Sequence, residues 1–185
     1  MKHTAVLLLF ILSSFSSERY LNQFPNDEEK MEWSASRPLT WNDFRGTPNP
    51  VADFVATTNS GMSFTYSYSI RNGSRKINFE VKSYFYPNSS WYIKKDVSPY
   101  ILKHEQTHFD ISELHARKLR KRLDGTTFSD NLKPEIEAIY RKVEEERKAT
   151  QDAFDTESDH SKNKAGEVKW EGYIAQQLAV YNDWQ

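Results

Sequence analysis

A period-two pattern of large and small side chains marks the first half of the chain. Residues 63–70 read Ser-Phe-Thr-Tyr-Ser-Tyr-Ser-Ile, the alternation of a strand with one buried face. Asn72-Gly73 follows, a dipeptide typical of a two-residue hairpin turn, and residues 76–86 alternate again. We therefore predict a twisted antiparallel hairpin. A hairpin alone is marginally stable, so we expect residues 52–58 to add a third strand and a helix to cover one face.

The second half of the chain has helical periodicity. Ser98 and Pro99 are a cap and a first helical residue, and they predict a helix to about Leu123. A second helix is predicted from Ser129 or Asp130 to about Phe154, with a third over 166–181. The predicted fold class is α+β: a small antiparallel or mixed twisted sheet packed on one long helix, with two further helices.

The first predicted helix carries His104-Glu105-Gln106-Thr107-His108, an HExxH sequence. His104 and His108 are one turn apart on one face, so both imidazoles can reach one Zn²⁺. Glu105 lies beside that face, where it can take a proton from a water molecule on the metal. The alternative is a pair of solvent-facing histidines with an ion-pairing glutamate between them.

Composition restricts the ligands that such a metal could have. The 185 residues suffice for one domain and include no Cys, so a metal must be held by His, Asp or Glu. The formal net charge of −1 gives no general attraction to nucleic acid. The basic cluster at 117–122 is therefore interpreted as a solvated helix end.

A third ligand is needed, because catalytic zinc usually has three protein ligands. His115 lies roughly 10 Å along the helix axis from His108, too far for the same ion, and is expected at the surface or behind a ligand. His160 follows the second helix, which can return antiparallel to the first, and is the predicted third ligand. Asp155 and Glu157 in the same polar stretch are the alternatives.

The N-terminus predicts export. Residues 1–16 combine a short basic start, an apolar run and small residues, as in a cleaved signal peptide, and the run is too short to span a membrane. Residues 17–32 are interpreted as a flexible lead-in and 33–185 as the catalytic domain. The mature chain is expected to be secreted or periplasmic, without a membrane span.

The chain resembles an exported bacterial family of unknown function whose members are described as zinc-dependent proteases of the zincin type. The resemblance rests on Leu39 to Gly46, on His104 to Ile111, and on Phe154-Asp155 with Glu157, Ser158 and His160. It implies a zincin-like catalytic unit, with His104 and His108 as zinc ligands and Glu105 as the base.

These patterns together predict a zinc metallopeptidase that acts on peptide or protein substrates. An extended peptide could add to a sheet edge beside the active helix, and Tyr173, Tyr181 and His115 are candidates to stabilise an oxyanion. The alternatives are an exported domain in which zinc is structural, and a secreted binding module without metal.

Overall fold

A computed structural model describes residues 20–21, 29–49, 51–52 and 54–185. It confirms the α+β class, with two small antiparallel sheets and three helices. The predicted signal peptide lies outside the described residues, as does most of the stretch interpreted as a lead-in.

The predicted hairpin is the centre of the larger sheet. Strands β4 (Ser60–Arg71) and β5 (Ser74–Phe85) pair in register from Ser60 opposite Phe85 to Arg71 opposite Ser74. Asn72 and Gly73 have φ of 50° and 76°, the two left-handed residues that a tight hairpin turn requires. The alternating pattern and the Asn-Gly turn therefore predicted the hairpin.

The prediction of a third strand at 52–58 is wrong for this sheet. Strands β1 (Tyr20–Leu21) and β2 (Met31–Glu32) flank the hairpin instead, in the order β1-β4-β5-β2, and both lie in the stretch interpreted as a lead-in. Strand β3 (Ala56–Thr57) pairs with β6 (Trp91–Tyr92) in a separate two-stranded sheet. Its partner is the short extended piece that follows the hairpin, so β3 lies beside the helix and not in the main sheet.

The central helix α1 (Pro99–Asp124) begins as predicted, with Ser98 Oγ accepting a hydrogen bond from the backbone N–H of Ile101. Helices α2 (Leu132–Ser158) and α3 (Lys164–Val180) follow. Helix α1 contributes to three apolar clusters: one under the hairpin, one at the aromatic segment around a short 3₁₀ turn at Trp41–Asp43, and one between the helices. This helix is therefore held on several sides.

The basic cluster near the end of α1 is only in part the solvated helix end that was predicted: Lys121 is exposed, but Arg117 and Arg120 bind other parts of the protein. Arg117 is 2% exposed, pairs with Glu113 at 2.9 Å and donates to the carbonyl of Leu178 at 2.8 Å. Arg120 donates to the carbonyls of Val81 and Trp184, both at 2.8 Å. These arginines donate to backbone carbonyls and join the hairpin, α1 and the C-terminal turn.

Among the described residues, none of the helices combines the length and the apolar character that crossing a bilayer would require.

Candidate metal centre

Two imidazoles meet on the buried face of α1. The Nε2 atoms of His104 and His108 are 3.1 Å apart, as expected for neighbours one helical turn apart. Phe154 of α2 is fully buried against both rings, stacked on His104 at a centroid distance of 4.6 Å and edge-on to His108 at 5.0 Å. The aromatic side chain therefore fixes both ring planes.

Asp155, the next residue of α2, completes a group of three possible metal ligands. Its Oδ1 lies 3.0 Å from His108 Nε2 and 3.3 Å from His104 Nε2. Tetrahedral ligands at roughly 2.0–2.1 Å from Zn²⁺ lie about 3.3 Å from one another. The three ligand atoms are therefore about as far apart as the ligands of one zinc ion.

The outer ring nitrogens are occupied by acceptors. His104 Nδ1 lies 3.0 Å from a carboxylate oxygen of Glu167, which is fully buried on α3. His108 Nδ1 contacts the side-chain oxygen of Gln151, whose Nε2 donates to the carbonyl of His108 at 2.8 Å. Both Nδ1 atoms therefore donate. In the neutral rings, both Nε2 lone pairs then face the Asp155 carboxylate, an arrangement that a cation stabilises.

The protonation states of His104 and Asp155 depend on each other. Burial by itself lowers the pKa of His104, but hydrogen bonds to Asp155 and Glu167 outweigh it and raise that pKa to about 9. Burial raises the pKa of Asp155, but hydrogen bonds from His104 and His108 outweigh it and hold that pKa well below its usual range. In the absence of metal, a proton on the imidazole of His104 therefore occupies the space between the three side chains that a metal cation can take.

Glu105 is 3% exposed and lines the same cleft as the histidines. Burial raises its pKa, and the positive charges of His108 and His104 oppose that shift. Within the described residues its buried Oε2 has no hydrogen-bond partner. A buried carboxylate oxygen without a partner is unfavourable, so it fits a residue whose partner arrives with metal, water or substrate.

The three possible metal ligands and Glu105 open onto a cleft of about 650 Å³. One wall is the segment 54–60, which contains β3, and another is the turn 160–162 between α2 and α3. Tyr100, Arg147 and Gln151 are among the other polar residues that line the cleft. The cleft is thus bordered by an extended backbone on one side and by polar side chains on the other.

The structure places His160 in this cleft but not among the three ligand atoms. Its Nδ1 lies 3.7 Å from Asp155 Oδ1, and its side chain is about half exposed. Helix α2 continues to Ser158, one turn beyond the predicted end, and this extra turn orients Asp155 towards the histidines. The group that could hold a metal therefore contains the alternative carboxylate, and His160 as a ligand stays a prediction.

Several other residues that the sequence offered as site candidates lie away from this group of three. Glu157 faces solvent and accepts from Lys169 and Trp170 at 3.0 Å. His115, expected at the surface or behind a ligand, is fully buried, and its two ring nitrogens contact the carbonyl of Ile111 and the hydroxyl of Thr150. The two candidate tyrosines, Tyr173 and Tyr181, are not among the residues that line the cleft.

Glu167 and Gln151, the two residues that orient the imidazoles, are not among the site residues predicted from the sequence. A signal existed for each of them. Glu167 continues the stripe of Trp170, Ile174 and Leu178 at helical spacing, and a carboxylate on an apolar face needs a buried partner. Gln151 lies four residues before Asp155, on the same face of α2.

Comparison with known proteins gives one family. No curated protein and no solved structure matches the chain significantly. The family described as "Bacterial protein of unknown function (DUF922)" matches residues 43–161, a segment that includes His104, Glu105, His108 and Asp155. The matched segment spans more than half of the 185 residues, and the chain therefore belongs to this bacterial family.

Proposed function

We propose that this protein is a zinc-dependent peptidase in which His104, His108 and Asp155 hold the metal and Glu105 is the general base. The buried, unpartnered Oε2 of Glu105 beside three converging ligand atoms carries the proposal. A non-catalytic metal site has no need for such a group, because an apolar or fully paired side chain would be more stable there.

The donor set fits zinc. Two neutral imidazoles and one carboxylate, with no fourth protein ligand in the group among the described residues, resemble the ligand sets of catalytic zinc sites. When bound, zinc would acidify a water molecule and polarise a carbonyl group. Glu167 and Gln151 keep the proton of each ring on Nδ1, so that Nε2 stays available.

Glu105 performs the proton transfer. Burial raises the pKa of its carboxyl group towards the range in which it can accept a proton from water and then release it. The expected sequence is deprotonation of the attacking water, followed by proton delivery to the departing amine.

The wall at 54–60 suits a peptide. The backbone N–H of Ile93 donates to the carbonyl of Val55 at 2.7 Å, and Thr57 is opposite Trp91. In an antiparallel pair the bonded residues alternate, so the N–H and C=O groups of Ala56 and Thr58 point away from β6. An extended substrate could add to this edge as a further strand.

Glu105→Gln tests the proposed function. The amide keeps the shape but cannot take a proton, so zinc content should stay stoichiometric while hydrolysis of a peptide library falls by about 100-fold or more. Glu157→Gln, the same substitution at a solvent-facing site, is the matched control and should keep wild-type activity. Unchanged hydrolysis in Glu105→Gln would refute the proposal and favour a structural or binding role.

We also propose export through the signal peptide at residues 1–16. The mass of the mature protein recovered from the bacterial periplasm or medium should correspond to a chain without those residues.

A further inference from the structure

The turn between α2 and α3 has an unusual backbone. Asp159, His160 and Ser161 have φ of 48°, 47° and 69°, three successive non-glycine residues in the left-handed region. Such residues are unfavourable singly and persist where the surrounding structure imposes them. Backbone strain of this kind clusters at active sites, ligand clamps and switch regions.

The surroundings of the turn impose this conformation. Asn163 N–H donates to the carbonyl of Ser158 at 2.7 Å, and Asn163 Nδ2 donates to the carbonyl of Glu157 at 2.8 Å. The N–H of His160 donates to the carbonyl of Asp155 at 3.0 Å. A Cβ on Gly166 would lie 2.2 Å from the Glu157 carbonyl oxygen, so α3 begins in direct contact with the end of α2.

The side chain that this turn presents is His160. Its ring is stacked near Phe54, with centroids 6.4 Å apart and an interplanar angle of 27°, and Phe54 stacks in turn on Trp91. Its Nδ1 is 3.7 Å from Asp155 Oδ1, beyond hydrogen-bond distance. The imidazole is half exposed in the wall of the cleft, so a molecule bound in the cleft can contact it.

We propose that His160 is a second catalytic residue, whose imidazole N–H donates a hydrogen bond to the oxygen of the substrate carbonyl that Glu105-activated water attacks. Because Asp155 supplies the carboxylate of the proposed ligand group, the nearby imidazole of His160 is left available to contact substrate. A donor fixed in advance by backbone strain and ring stacking needs little reorganisation when negative charge develops on that oxygen. The inference rests on the proposed function.

The test uses zinc-loaded full-length protein with inorganic phosphate as a tetrahedral oxyanion probe, measured by calorimetry. His160→Asn tolerates the left-handed backbone but shortens the donor. We expect unchanged zinc affinity and phosphate binding weakened by about 10-fold. His160→Gln restores an N–H donor with longer reach and should recover part of the binding. Asp159→Asn, at the adjacent left-handed and exposed residue, should match wild type.

Two results would overturn the assignment. A loss of zinc affinity in His160→Asn of about 10-fold or more would make His160 a metal ligand. Unchanged phosphate affinity in that variant, with zinc bound, would remove it from the site. Neither result depends on peptide hydrolysis, so failure of this inference is distinct from failure of the Glu105→Gln experiment.

Discussion

Glu167→Gln tests whether the residue behind His104 sets metal affinity. The carboxylate is fully buried, and its two oxygens lie 3.0 and 3.1 Å from His104 Nδ1. Glutamine keeps the size and one oxygen acceptor but removes the negative charge. The substitution therefore replaces a charge-assisted hydrogen bond with a neutral one.

The expected magnitude follows from that replacement. Charge-assisted hydrogen bonds contribute about 1.5–3 kcal/mol and neutral ones about 0.5–1.5 kcal/mol, a difference of about 1–1.5 kcal/mol. This corresponds to roughly 10-fold in the zinc dissociation constant, within the range of 10–100-fold typical of such residues. In the metal-free variant, the pKa of His104 should also fall from about 9 towards its ordinary 6.5, because one of the groups that raise it is neutralised.

Zinc affinity is measured by competition with a chromophoric chelator, and the pKa by NMR titration. Glu171→Gln is the matched control, since Glu171 lies one turn further along α3 and pairs with Lys103 of α1. It should change zinc affinity less than twofold. Equal losses in the two variants would assign the effect to packing between α1 and α3. An unchanged dissociation constant in folded Glu167→Gln would refute the reasoning.

Three further predictions concern pH and packing. Burial lowers the pKa of His115 to about 4, against 6.5 in the unfolded chain. The stability that this neutral histidine contributes above pH 6.5 is therefore lost as the pH falls to about 4, and the loss is about 3 kcal/mol. Urea unfolding across this pH window should show the loss, and His115→Leu should make the free energy of unfolding less dependent on pH. The pH dependence has the opposite sign for His104, whose pKa is raised to about 9. Its contribution to the stability of the metal-free protein is complete below pH 6.5 and is lost as the pH rises through about 9. Over that window the melting temperature of chelator-treated protein should therefore fall more than that of zinc-loaded protein. Gly166→Ala places a Cβ 2.2 Å from a backbone oxygen of Glu157, and thermal unfolding should show a loss of about 1–3 kcal/mol.

The parts of the fold that local signals determine were predictable from the sequence. Asn72-Gly73 fixes the hairpin turn, and Ser98-Pro99 fixes the start of α1. The pairing of β3 was not predictable, because Ala56 and Thr57 suit either sheet and only the position of β6 decides between them. Residues of low local preference take their partners from tertiary structure.

The candidate site likewise has one part that the sequence predicts and another that depends on tertiary structure. The spacing of His104, Glu105 and His108 within one helix was enough to predict that their side chains are neighbours. The choice between Asp155 and His160 depended on where α2 ends, and helix ends are poorly defined by sequence when the last turn is polar. Glu167 belongs to a third helix, and its burial depends on how that helix docks.

The ligand group joins parts of the chain that are far apart in sequence. His104 and His108 come from α1, Asp155 comes from the far end of α2, and Glu167 on α3 supports one imidazole. An ion bound there would act as a cross-link, since binding energy available only to the folded arrangement adds to folding stability. Chelation should therefore accelerate amide hydrogen exchange in the C-terminal turns of α2 and throughout α3, while the hairpin exchanges as slowly as before.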